Sequence, residues 1–204
     1  MCSSSIPDNG PRVIRKEKPK LKLKRHNYRE RSIDSLRKDF KDRCAYSMQH
    51  VDLVGGIEHM EVDHFDSTKK KDYIQDYNNL FLAKRACNNK KQNRPTLIDV
   101  KAGLRFLNCC LERDYNECIF EDPVTHEVWG TTPNAKYHIR YLGLNSRNLV
   151  QERTQRFELL TTLRKTTFIQ RRKPDANMVR LIAELSSILK KHIPEIELRP
   201  KTTN

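Results

Sequence analysis

Apolar positions first fall into a helical rhythm from Ser32, where Ile33, Leu36, Phe40 and Cys44 recur at spacings of three, four and four. Gly55-Gly56 breaks that pattern as a plausible turn. Ile57 to Phe65 then alternates imperfectly, as a strand or hairpin does. A lysine-rich loop, Lys69-Lys70-Lys71, separates it from Tyr77-Asn78-Asn79-Leu80-Phe81-Leu82-Ala83. After Pro95, Thr96 and Asp99 fit a capping box, and Leu97, Val100, Leu104, Leu107 and Leu111 predict a helix along that whole stretch. Ile119-Phe120-Glu121 and Glu127-Val128-Trp129 flank Asp122-Pro123-Val124-Thr125, which reads as a hairpin. Asn145 or Ser146 caps a long polar helix through about Phe168. A last helix starts at Pro174-Asp175, with Met178, Leu181, Leu185, Ile188 and His192 on one stripe. These elements predict an α+β chain, mostly helical, with two short hairpins and no internal repeat.

Charge changes the picture. Forty basic residues against 26 acidic ones leave a net charge of +14. That excess points to a polyanionic partner. Ten of the cations crowd between Arg12 and Arg31, so residues 1–30 read as a basic arm, extended or docked on a partner. Within it, Lys20-Leu21-Lys22-Leu23-Lys24 alternates as a short strand would on another protein's sheet edge. No apolar run approaches the ~18 residues of a membrane span, and no secretory leader pattern opens the chain. The expectation is therefore a cytoplasmic protein with no membrane partner. The six cysteines are placed as reduced thiols rather than as a disulfide framework.

The chemistry concentrates in the middle. Asp63 and His64 are adjacent, Asn79 lies fifteen residues after His64, and Asn88 nine after that. An Asp carboxylate and an Asn carbonyl are oxygen ligands suited to a hard divalent ion. A neutral His beside such an ion is a general base with nearly the right pKa. Taken singly, His64 reads as a hydrogen-bonded half-buried histidine, Asn79 as a cap and Asn88 as a helix end; the joint spacing carries the reading.

Val62-Asp63-His64-Phe65, Asn79-Leu80 and Cys87-Asn88-Asn89-Lys90-Lys91 together resemble the HNH endonuclease motif. The resemblance covers about residues 44–91 and implies a ββα-metal core within residues 31–95, followed by a helical region over 96–204 with the hairpin near 119–129. It implies His64 as the base that activates water, and Asp63 and Asn88 as ligands of one Mg²⁺ or Mn²⁺ ion. Asn79 would brace the loop and orient the imidazole. Lys91 would contact phosphate, with Lys69, Lys70, Lys71, Lys90 and Arg94 as further backbone contacts on DNA or RNA. Many members of that family hold a structural zinc with two Cys-x-x-Cys pairs. Here Ser47 follows Cys44 and Lys84 precedes Cys87 at the paired positions, so a structural zinc is not expected and the two cysteines would pack as small apolar groups. Val13 to Leu21 and Leu142-Gly143-Leu144-Asn145 with Leu149 and Arg153 also resemble the HNH subunit of Septu and retron-linked anti-phage systems. That likeness implies an ATPase subunit as partner. The alternatives are an inactive nucleic-acid-binding module and a protein-interaction subunit.

Overall fold

The computed structural model describes residues 13–16, 23–24, 26–67, 76–92, 94–111, 118–170, 176–177 and 179–184. The chain is α+β, and its described residues form two separate two-stranded antiparallel sheets among helices. Helix α1 (Tyr28–Phe40) leads to strand β1 (Met60–His64), which pairs antiparallel with β2 (Leu80–Lys84), Met60 opposite Lys84 and His64 opposite Leu80. Helix α2 (Arg85–Lys91) follows β2 without a loop. Then come α3 (Leu97–Lys101), the hairpin β3 (Ile119–Glu121) and β4 (Val128–Gly130), α4 (Pro133–Leu142) and α5 (Arg147–Gln170). No described helix is long and apolar enough to cross a membrane.

Apolar burial explains the first half. Leu80, Phe81, Leu82 and Ala83 form a continuous buried run, so β2 is covered on both faces. Leu36 and Phe40 of α1 are buried in the same core, with Phe40 and Phe81 ring centroids 5.4 Å apart. Phe65 stacks on Phe81 from the other end of β1, at 4.6 Å. Helix α1 stops at Phe40 because Lys41 turns left-handed, φ 51°. Cys44 therefore leaves the helical stripe and instead takes a bridging turn in which Ala45 N–H bonds to the Leu82 carbonyl.

The helix expected along Leu97 to Leu111 is shorter than its leucine spacing implies. The predicted helix beyond Thr96 begins as expected, with both halves of the Thr96–Asp99 capping box formed. It ends at Lys101, where Gly103 (φ +74°) donates to Val100 O and Leu104 to Asp99 O. That pair of bonds is a Schellman stop, which overrides the leucine spacing. Leu107 is still buried, whereas Leu97 and Ile98 are 73% and 79% exposed.

Most of the expected arm (residues 1–12, 17–22 and 25) lies outside the described residues. Val13 and Leu23 are buried in the chain's own core, so Leu23 is not held out for another protein's sheet. Arg15 explains how a basic segment docks here. Its guanidinium donates to Tyr77 O (2.9 Å) and Leu80 O (2.7 Å) and lies over the Phe40, Tyr77 and Phe81 rings. Asp39 completes the seat by accepting from Lys16 N–H at 2.8 Å and Tyr77 O–H at 2.9 Å.

The hairpin expectation matches the structure, with Phe120 opposite Trp129. Helix α5 begins at Arg147, next to the expected caps. Helix α4 had no counterpart in the sequence reading. Its signals were nonetheless present: Thr132 accepts from Ala135 N–H, Pro133 opens the first turn, and Gly143 closes the helix at φ 59°. Gly130 is required at the end of β4, since a Cβ there would lie 2.6 Å from that of Ala135. Arg156 and His126 both pair with Glu121 (2.6 and 2.9 Å), tying α5 to the hairpin.

Replacing Arg15 by Ala should cost about 3 kcal/mol, since two charge-assisted hydrogen bonds and a stacked cation are lost together. Arg15→Lys should recover less than half, because an ammonium cannot reach two carbonyls and cover three rings at once. Urea denaturation of the three proteins reads both values.

Candidate functional site

The site is assembled by β1 and α2. Along β1, Glu61 and Asp63 share one face because side chains alternate. Along α2, Arg85, Asn88 and Lys91 recur every three residues and so share one side. The two stripes meet in order. Arg85 Nε donates to Glu61 Oε1 at 2.9 Å and Asn88 Nδ2 to Glu61 Oε2 at 2.7 Å. Lys91 Nζ reaches Asp63 Oδ2 at 2.9 Å and Oδ1 at 3.1 Å, and the His64 carbonyl at 2.7 Å.

An open cleft of about 340 Å³ lies at the C-terminal end of β1 between α1 and α2. Asp63, His64, Asn88 and Lys91 line it, together with Tyr28 and Arg29 from α1. The Tyr28 and His64 rings lie 4.9 Å apart. Arg29 is exposed at this cleft and bonds to the Tyr28 hydroxyl at 3.1 Å. Its guanidinium is held firmly protonated, first by the hydrogen bond and charge of Tyr28 and then by Glu61.

Asn79 does not line the cleft. It acts on the chain just beyond His64: its backbone carbonyl accepts from Phe65 N–H at 2.8 Å. Its side-chain Oδ1 accepts from Asp66 N–H at 2.8 Å, and its Nδ2 donates to Asp66 O at 3.2 Å. The carboxamide thus imitates one more peptide of the β1–β2 ladder and extends it past the last paired residues. This loop bracing keeps the end of β1 in one shape.

The predicted phosphate contacts divide. Lys69, Lys70 and Lys71 lie outside the described residues. Lys90 is exposed, and its stem lies over Gly143, where a Cβ would collide with the ammonium. Arg94 is partly covered: it pairs with Asp99 at 3.1 Å and stacks on Tyr141 at 3.9 Å. Lys91 is 0% exposed and faces Asp63, so it sits beneath the cleft rather than on a phosphate-tracking surface. A second group also holds Asp63: the buried Tyr46 hydroxyl donates to Oδ2. Burial and the Asp63 charge push the Tyr46 phenol well above its ordinary pKa, so it stays a donor.

Tyr28, Arg29, Tyr46 and Glu61 escaped the sequence reading. Only Glu61 left a signal, since it precedes Asp63 by the two-residue step that shares a strand face.

Would these residues suit a hard divalent ion? Among the described residues no three His, Cys, Asp or Glu side chains converge as a metal cage. The oxygens do fit in kind. A carboxylate has about four lone-pair sites, and three contacts from Lys91 and Tyr46 still leave room on Asp63. Asn88 adds a carbonyl oxygen on the same cleft. Such an ion would be held by Asp63 and Asn88 and completed by water or phosphate oxygens.

Cys44 and Cys87 form a separate buried pair. Cys44 Sγ accepts from Lys84 N–H at 3.2 Å and Ser47 N–H at 3.5 Å. Burial pushes the Cys44 thiol up, but the Cys87 S–H and these donors outweigh it and hold it below its ordinary value. Cys87, donating to Cys44 and buried, is pushed up. Both thiols pack in the hydrophobic core, as expected of small apolar groups, and Cys44 in addition accepts two backbone hydrogen bonds.

No family model, curated protein or solved structure matches this chain. Function is therefore read from the site's own chemistry.

Lys91→Met should destabilise the protein by about 3–5 kcal/mol at neutral pH, because it strands a buried carboxylate. Combining it with Asp63→Asn should recover much of that loss. Denaturation midpoints around this double-mutant cycle measure the coupling directly.

Proposed function

We propose that this chain is a metal-dependent endonuclease of the HNH type, hydrolysing phosphodiester bonds in nucleic acid. The observation that carries the reading is one cleft wall shared by Asp63, His64 and Asn88, with Asn79 bracing the backbone just beyond. The strand–strand–helix succession of β1, β2 and α2 is the arrangement a ββα-metal core requires.

His64 is the residue placed to take a proton from water, its ring steadied by Tyr28. Asp63 and Asn88 offer hard oxygens to Mg²⁺ or Mn²⁺. A bound divalent ion would supply charge neutralisation at a phosphate oxygen. Lys91 and Tyr46 hold the Asp63 carboxylate from below, so it is fixed before any ligand arrives. Arg29 takes the part expected of Lys91, because its guanidinium is exposed at the cleft and suits a phosphate's geometry. The net charge of +14 favours a nucleic-acid substrate, DNA or RNA.

The proposal extends to an effector role in anti-phage defence beside an ATPase subunit, which rests on sequence resemblance alone. One observation favours the rival reading of an inactive nucleic-acid-binding or protein-interaction subunit. Lys91 already neutralises Asp63 without any metal.

Incubation with plasmid, single-stranded DNA and tRNA separates the two. The nuclease reading expects cleavage of at least one substrate with Mg²⁺ or Mn²⁺, abolished by chelator. His64→Ala should lower the rate by ~10²–10⁴ while leaving folding and binding near those of the parent. Cleavage indifferent to chelator would end the metal assignment, and parent-like turnover by His64→Ala would end the base assignment.

A further inference from the structure

An asparagine makes a useful metal ligand only through its carbonyl oxygen, and its carboxamide can sit either way round. At Asn88 the choice is made by a neighbour. Glu61 presents a carboxylate 2.7 Å from the Asn88 side chain, and a carboxylate only accepts. The NH₂ group must therefore face Glu61, and Oδ1 must face the other way. Among the described residues no donor reaches that oxygen, and Asn88 lines the cleft.

Glu61 is itself fixed. Its second oxygen accepts from Arg85 Nε at 2.9 Å, while Arg85 Nη2 donates to Glu58 O, also at 2.9 Å. Arg85 and Asn88 lie one turn apart on α2, so the helix holds both partners of the carboxylate at once. Asp63 stands two residues further along β1, on the same face. The carboxylate that orients one oxygen ligand and the carboxylate that supplies the other are therefore set by one strand.

We propose that Glu61, braced by Arg85, is the positioning residue of this site: it locks the Asn88 carboxamide with Oδ1 turned to the cleft, where it can bind a divalent cation. The proposal rests on the metal-site reading given above. Glu61 need not touch the ion; it acts through the hydrogen bond to Asn88. Replacing it by Gln keeps the size but lets either end of the Asn88 amide find a partner, so the orientation is no longer specified.

A double-mutant cycle in the full chain tests this, with Mn²⁺ affinity read by the paramagnetic resonance of free ion. Glu61→Gln should weaken Mn²⁺ binding by about 10–100-fold, the range for a lost partner of a metal ligand. Asn88→Ala should weaken it at least as much. The double variant should be no weaker than Asn88→Ala, because Glu61 has nothing left to orient. Independent effects that multiply would show Glu61 acting as a distant charge and would overturn the proposal. So would a Glu61→Gln protein that binds Mn²⁺ as the parent does.

A second readout needs no metal. The side-chain NH₂ resonances of Asn88, assigned by their absence in Asn88→Ala, should carry one downfield proton that moves upfield in Glu61→Gln. Unmoved resonances would contradict the hydrogen bond itself. A parent chain that binds no Mn²⁺ overturns the metal reading and this proposal together. A parent that binds, beside a Glu61→Gln variant that binds equally well, overturns this proposal alone.

Discussion

The structure turns on a buried ion pair. The ammonium of Lys91 sits at 0% exposure on the carboxylate of Asp63, with the His64 carbonyl as its third contact. Such a pair adds little net stability over well-packed apolar residues, because desolvating two charges offsets their attraction. Its effect is positional. An unpaired Lys91 or Asp63 in this core is very costly, so α2 can only dock on β1 with these two residues matched. The same docking brings Asn88 and Arg85 to Glu61. A slip of one residue in β1 would send Glu61 and Asp63 to the opposite face and leave every cation of the α2 stripe without its partner.

Three other elements hold the cleft open around that seam. Tyr46 reaches Asp63 from the turn that follows α1, and Asn79 extends the β1–β2 ladder by one side-chain peptide. Helix α1 supplies the opposite wall with Tyr28 and Arg29. Arg15 in turn fastens the N-terminal segment over Phe40 and Phe81, the rings on which α1 and β2 meet. The basic residues are therefore of two kinds. Arg15 and Lys91 hold the interior together, while Arg29 and Lys90 are exposed.

Much of the site was legible because its residues have fixed chemistry at fixed intervals. Asp63, His64 and Asn88 could be picked out as hard-ligand and base types, and the structure brings them to one cleft. The motif assigns Asn79 to bracing the loop and orienting the imidazole; its two bonds to Asp66 do the first, while none of its hydrogen bonds involves the imidazole ring. The β3–β4 hairpin was legible from the turn residues after Glu121 and the apolar triplets beside them. The role of Lys91 was not, since nothing local separates it from Lys90. Only the phase of α2 does, placing Lys91 three residues after Asn88 and turned inward. The leucine stripe after Thr96 failed for a related reason: periodicity reports faces, and one glycine in the left-handed region ends the helix that would carry them. Tyr46 matters through a partner distant in sequence, which no local pattern displays, and the two-residue step from Glu61 to Asp63 shows a shared face but not the partners on α2.

In the proposed metal site, Asp63 and Asn88 offer their oxygens to one divalent ion in the cleft beside His64. Paramagnetic broadening by substoichiometric Mn²⁺ tests it most directly, because it maps the ion without relying on turnover. The signals of Asp63, His64 and Asn88 should broaden first, while those of Phe120 and Trp129 in the β3–β4 hairpin stay sharp. Broadening centred on the Glu121–His126 cluster, or none at the cleft, would contradict it.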